Sequence, residues 1–211
     1  MSVKHVEVLV EEPSMEVALR LLLPRILGET SFAIYQNQCK NELIARLPQR
    51  LAGYANRRKN DSWFRDHCRI VVIVDRDDED CKDLKARLEK AAKEAGLITR
   101  STANNNTYTV VNRIAVEELE AWYFGDWKAV QTAYPKVVAS VPSKSKYRNP
   151  DAITGGTCEA LERVLRKFGY FKTGFRKIDA ARAIGEHMVP SRNRSGSFQI
   201  LCSALREIAS A

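Results

Sequence analysis

The chain has 211 residues, 45% hydrophobic and 28% charged, with 34 Lys and Arg against 26 Asp and Glu and a formal net charge of +8. That is the make-up of one globular domain with a modest extension, which excludes a disordered or fibrous chain and needs no metal or disulfide merely to hold a core. The apolar runs fall well short of the roughly 18 residues of a membrane helix, the start "MSVKHVEVLVEEP" lacks the pattern of a secretory signal, and the five cysteines (Cys39, Cys68, Cys81, Cys158, Cys202) form no CxxC. A cytoplasmic protein with no membrane contact, disulfide framework or zinc site is expected. The three histidines, His5, His67 and His187, are too far apart in sequence to form a ligand pair.

"KHVEVLVEE" predicts a first strand, with valines 6, 8 and 10 on one face. Pro13 and Ser14 open a helix with Val17, Ala18, Leu21 and Leu22 as its apolar stripe, and Pro24 is expected to bend or shorten its end. "FAIYQ" (32–36) predicts a second strand. Residues 40–56 predict a helix, with Leu43, Leu47 and Leu51 four apart, and "NRRKND" (56–61) a basic loop. "RIVVIVD" (69–75) is a third strand, its unbroken apolar run suiting burial on both faces. A helix is expected from Glu79 to Ala95, stopped by Gly96. "LITRS" and "YTVVNRIAV" predict two more strands around the loop "TANNNT", and residues 117–134 a helix. Residues 135–156 are loop-like, and helices are expected at about 157–168, 178–188 and 197–209. Alternating strands and helices over residues 4–116 imply an α/β fold with a mostly parallel sheet. The expected organisation is an α/β domain over residues 1–134 and a basic helical extension over 135–211, packed on the same domain.

Charge is unevenly placed. Residues 144–211 hold 13 Lys or Arg against 6 Asp or Glu, whereas residues 1–143 hold 21 against 20. A basic tail on a neutral body suits a polyanion-binding surface, with solvated surface charge as the plainer alternative.

The acidic residues collect after strands, where parallel sheets bind their ligands. Glu11 closes the first strand, with Glu16 a turn further on; Asp75 and Asp77 close the third; "AVEELEAWYFGD" follows the last and offers Glu117, Glu118, Glu120 and Asp126. Asp78, Glu79 and Asp80 read as an ordinary acidic helix start. Glu120 stands out because it lies between Leu119 and Ala121 beside Trp122, where a carboxylate needs a partner. Clustered carboxylates repel unless a cation lies between them, and oxygen-only clusters suit Mg²⁺ or Mn²⁺. Glu11, Asp75 and Asp77 are therefore expected within roughly 10 Å of one another.

"VEVLVEEPSME", "IVVIVDRDDED" and "AVEELEAWYFGD", in that order, resemble the Toprim-like domain of overcoming-lysogenization-defect nucleases. More closely, they resemble a family of small Toprim-like proteins encoded beside ATPases in bacterial phage-defence loci. "YFK" (170–172) and "SGSF" (195–198) also fit that family. The resemblance covers most of the chain and implies a Toprim-like, Rossmann-like fold and an Mg²⁺- or Mn²⁺-dependent nuclease acting on DNA or RNA, with an ATPase as possible partner. It implies Glu11, Glu16, Asp75, Asp77 and Glu120 as the acidic catalytic set, with Glu11, Asp75, Asp77 and Glu120 on the metal. Lys172 would stabilise charge at the phosphate. From the basic charge concentrated in the carboxyl-terminal segment, Lys172, Arg176, Arg192 and Arg194 are expected to hold nucleic acid. One position departs from the pattern: the glycine after the first glutamate is Glu12 here. That departure favours the alternative of a non-catalytic module binding an ATPase or nucleic acid. A phosphatase of the haloacid dehalogenase type also carries Asp-x-Asp after a strand, but on its first strand, whereas two strands precede Asp75 and Asp78 follows Asp77.

Overall fold

The computed structural model describes residues 2–104 and 107–211. Among these described residues, four parallel strands form the sheet in the order β2-β1-β3-β4: β1 (His5–Val10), β2 (Ser31–Gln36), β3 (Cys68–Asp75) and β4 (Val110–Ala115). The helices are α1 (Pro13–Leu27), α2 (Lys40–Asn60), α3 (Ser62–His67), α4 (Cys81–Glu94), α5 (Leu119–Gly125), α6 (Trp127–Ala133), α7 (Thr157–Lys167), α8 (Lys177–Gly185) and α9 (Gly196–Ser210). This is an α/β, Rossmann-like arrangement. Alternation in the strands sorts the core into two layers. Val6, Val8, Val10, Val71, Ile73 and Val111 pack with α1 and α5 to α9 on one face. Leu9, Ile70, Val72 and Val74 meet Leu43, Leu47 and Leu51 of α2 and Leu84 and Leu88 of α4 on the other. The chain goes from β1 to β2 in one direction and from β3 to β4 in the opposite one, so the strand order reverses between β1 and β3. In open α/β sheets that reversal opens a crevice at the carboxyl ends of the two strands.

Four boundaries differ from those expected. Pro24 lies inside α1, which ends instead at Gly28, whose φ of 59° suits glycine. "NRRKND" is helical to Asn60: Arg and Lys are good helix formers, and Arg57, Arg58 and Lys59 complement the dipole in the last turn of α2. "LITRS" is not a strand, for only Thr99 bridges to Val110. The chain turns there, with Thr102 N–H and Ala103 N–H donating to Thr99 O at 3.1 and 3.0 Å, so pairing with β4 stops after one bridge. Of the loop "TANNNT" that follows, Asn105 and Asn106 lie outside the described residues. The helix expected over 117–134 breaks at Asp126, whose backbone (φ −118°, ψ 68°) leaves the helical range. The buried Asp126 carboxylate accepts from Val189 N at 2.8 Å and from Arg192 Nε at 2.6 Å, and these bonds hold it there.

The carboxyl-terminal helices have no core of their own. Leu161 and Leu165 of α7 and Phe198 and Leu201 of α9 lie in the same buried cluster as β1 and α1, with Phe168 packed against it. The "SGSF" segment secures α9. Ser195 caps the helix by accepting from Phe198 N, and Asp151 accepts from the Ser195 hydroxyl at 2.6 Å and from Ser197 N at 2.8 Å. Gly125 allows this turn to approach: a Cβ there would fall 2.9 Å from Ser195 N.

Phe198 is fully buried, its ring 5.0 Å from that of Trp122. Phe198→Ala is expected to cost about 3–5 kcal/mol. Urea titration would show it as a lower midpoint in a single transition, because α9 shares its core with the sheet.

Candidate functional site

The last paired residues of β1 and β3, Val10 and Ile73, face α1. One step on, alternation turns Glu11 toward the α2 side, and one further step turns Glu12 to the α1 side beside Asp75. The Glu11 carboxylate accepts the Asp75 backbone N–H at 3.0 Å. The two acidic strand ends are thus joined at the point where the strand order reverses. Glu120 arrives from beyond β4 in the first turn of α5, a helix buried along its whole length.

Asp75 is 2% exposed and Glu120 is 1% exposed. Among the described residues, Asp75 Oδ1, both Glu120 carboxylate oxygens and the Tyr123 hydroxyl are buried without a hydrogen-bond partner. Burial raises the Asp75 pKa well above the ordinary value, and the charges of Glu11, Glu120, Glu12 and Asp77 raise it further. Glu120 is pushed up to about 7 by burial, against the pull of Lys177. Glu11 is also raised to about 7, chiefly by burial and against its bond to Asp75 N–H. Burial, with Glu120, Glu12 and Asp75 nearby, lifts the Tyr123 phenol as well.

Two lysines supply positive charge. Lys177, the first residue of α8, lies 3.5 Å from Glu12 Oε2. Burial lowers its pKa, but Glu120 and Glu12 more than reverse this and raise it. Lys40, at the start of α2, pairs with Asp77 and with Glu79. The loops beneath are held in a costly conformation. Asp77 and Glu117 have φ of 50° and 65°, which non-glycine residues seldom adopt and which concentrates at functional sites. Asp77 N–H donates to Glu117 O at 2.9 Å and Arg76 pairs with the Glu117 carboxylate, tying the loop after β3 to that after β4. Glu118 is used structurally: it accepts from Cys158 N at 2.8 Å and Thr157 Oγ1 at 3.0 Å. It therefore caps α7, whose own N-cap is Gly156.

The structure brings Glu11, Asp75 and Glu120 into one electrostatic cluster and joins Asp77 to it through Lys40. Glu16 pairs instead with Arg20, one turn on along α1, at 2.6 Å. Lys172 is exposed on the turn before α8, whereas Lys177, five residues on, reaches Glu12 at 3.5 Å. Arg192 donates to the buried Asp126 through two bonds of 2.6 and 2.9 Å while its side chain stays 36% exposed. Arg176 pairs with Asp179, and Arg194 is exposed. Sequence reading missed Lys40 and Lys177 as site residues. No motif marks either one; only their packing at the acidic strand ends reveals them. Glu12 was visible as a departure, and its side chain now proves to be held by Ser14 and Lys177.

Among the described residues, no three carboxylate, imidazole or thiolate groups converge as the ligands of a metal ion. Glu11 is taken up by Asp75 N–H and Glu12 by Ser14 and Lys177. The donor chemistry nevertheless fits a hard divalent cation. The set is all oxygen, and three buried carboxylate oxygens on Asp75 and Glu120 have no partner.

A carboxyl whose pKa is raised by folding holds a proton that the unfolded chain has released. The stability contributed by Glu120 is therefore full below its ordinary value of 4.5 and is lost as pH rises through about 7. Glu120→Gln removes this penalty. It is expected to raise the melting temperature at pH ~8 by roughly 2–4 °C, about 1 kcal/mol, and to have little effect at pH ~5. Differential scanning fluorimetry at the two pH values checks the sign. Arg192→Ala, which leaves the buried Asp126 carboxylate without its cation and with Val189 N–H as its remaining donor among the described residues, is expected to cost about 3 kcal/mol in urea titration.

Among the described residues no helix is long and apolar enough to cross a membrane. No curated protein and no solved structure matches the chain. Residues 10–206 match the family model described as a domain of unknown function (DUF4276), and the chain belongs to that family.

Proposed function

We propose that the chain is a divalent-cation-dependent phosphodiesterase acting on nucleic acid, as its resemblance to Toprim-like nucleases implies. The observation that carries the reading is the pair of buried carboxylates, Asp75 and Glu120, with three unpartnered oxygens at the carboxyl end of a parallel sheet. Asp75 and Glu120 would hold Mg²⁺ or Mn²⁺, with Glu11 or Glu12 completing the set. Bound there, such an ion supplies positive charge for the phosphodiester oxygens. Lys177 keeps its ammonium charged beside Glu12 and Glu120 and takes the phosphate-stabilising role expected of Lys172. Lys172 and Arg176 line a cleft with Tyr134, Tyr170 and Phe171, a combination that suits a phosphate backbone and the flat face of a base. Arg194 adds a further exposed cation.

A second reading, a non-catalytic module that docks on an ATPase or on nucleic acid, is favoured by one feature. Glu12 stands where the Toprim-like pattern that the chain resembles has glycine, and its pairing with Lys177 neutralises part of the site internally. Incubating the purified chain with Mn²⁺ or Mg²⁺ and plasmid, single-stranded DNA or transfer RNA separates the two. Cleavage is expected, with Asp75→Asn lowering it by about 100-fold or more. Asp80→Asn is expected to leave it unchanged, since Asp80 only caps α4 and Asn caps comparably. Binding without cleavage under any of these conditions would favour the second reading.

A further inference from the structure

We infer that the Lys40 ammonium is a built-in cation of the site, so that the chain takes up one divalent ion and Asp77 serves to hold Lys40 rather than that ion. The inference rests on the proposed cation at Asp75 and Glu120. Lys40 Nζ lies 3.3 Å from Asp75 O, 3.1 Å from Arg76 O and 3.0 Å from Glu79 Oε1, with Asp77 Oδ2 closer still. Two carboxylates and two carbonyls around one point form an oxygen cage of the kind a hard cation takes. Here the point is filled by nitrogen, at hydrogen-bond distances rather than the roughly 2.0–2.1 Å of Mg²⁺.

The position of Lys40 argues that this cage is its purpose. It is the first residue of α2, where a positive charge opposes the helix dipole and costs stability. Its side chain is nonetheless only 11% exposed. The Asp77 backbone cooperates: its φ of 50° and its N–H bond to Glu117 O fix the residue in the conformation that pairs with Lys40. Charge balance agrees. Lys40 offsets Asp77, Arg87 offsets Glu79 and Lys177 offsets Glu12. Glu11, Asp75 and Glu120 remain, three negative charges when ionised, which a single divalent ion balances to within one unit.

Counting bound Mn²⁺ by electron paramagnetic resonance, without nucleic acid, tests this. Wild type is expected to bind one ion per chain, Asp77→Asn still one, and Asp75→Asn none. Lys40→Ala vacates the cage and is expected to bind two, returning to one when Asp77→Asn and Glu79→Gln are added. Two ions on wild type, loss of the ion in Asp77→Asn, or one ion on a Lys40→Ala chain that keeps wild-type affinity for it would each overturn the inference and leave the proposed function standing. No ion on wild type would overturn both. Should Lys40→Ala fail to fold, the wild-type and Asp77→Asn counts decide the matter alone.

Discussion

Burying Asp75 and Glu120 without a hydrogen-bond donor is the constraint around which this end of the molecule is organised. Removing an ionised carboxylate from water costs several kcal/mol unless charge or hydrogen bonds offset it. The fold lowers that cost in stages. Backbone N–H from Asp75 satisfies one oxygen of Glu11, Lys177 offsets Glu12, and Lys40 holds Asp77 outward with Glu79. Among the described residues these contacts leave Asp75 Oδ1, both Glu120 carboxylate oxygens and the Tyr123 hydroxyl without a partner, and burial raises the pKa of all three groups.

Parallel topology explains why the cost arises here. All four strands end on the same side, so the residues following β1, β3 and β4 are brought together although they span more than a hundred positions. Reversal of strand order between β1 and β3 leaves that end uncovered by a direct crossover helix. The loops that cross it are short and pinned to one another by the Arg76–Glu117 pair and the Asp77–Glu117 backbone bond. Rigid loops with two residues in left-handed backbone are costly, and that cost is accepted where side chains must be aimed.

The carboxyl-terminal third supplies more than surface charge. Its helices complete one face of the core, and several of its polar residues act as fixings: Asp151 with Ser195 and Ser197 at the start of α9, and Arg192 with Asp126. Lys177 is delivered by the same packing, since α8 lies against α1 and its first residue therefore meets the end of β1. The basic helical extension thus packs on the sheet and contributes Lys177 to the acidic strand ends.

Sequence by itself determined the α/β class, the three long apolar strands and the fact that acidic residues follow them, because strand burial and alternation are periodic properties written along the chain. It marked Glu120 as anomalous through its apolar neighbours, and burial at 1% exposure bears out that anomaly. Partner choice was decided only in three dimensions. Lys177 rather than Lys172 meets the carboxylates because the turn before α8 presents one and not the other. Arg192 is engaged by Asp126, 66 residues earlier, and Lys40 by a loop 35 to 39 residues later. A basic side chain looks the same in sequence whether it faces solvent or a buried carboxylate. The difference lies in which surfaces the packed core brings together, and local pattern carries no record of that.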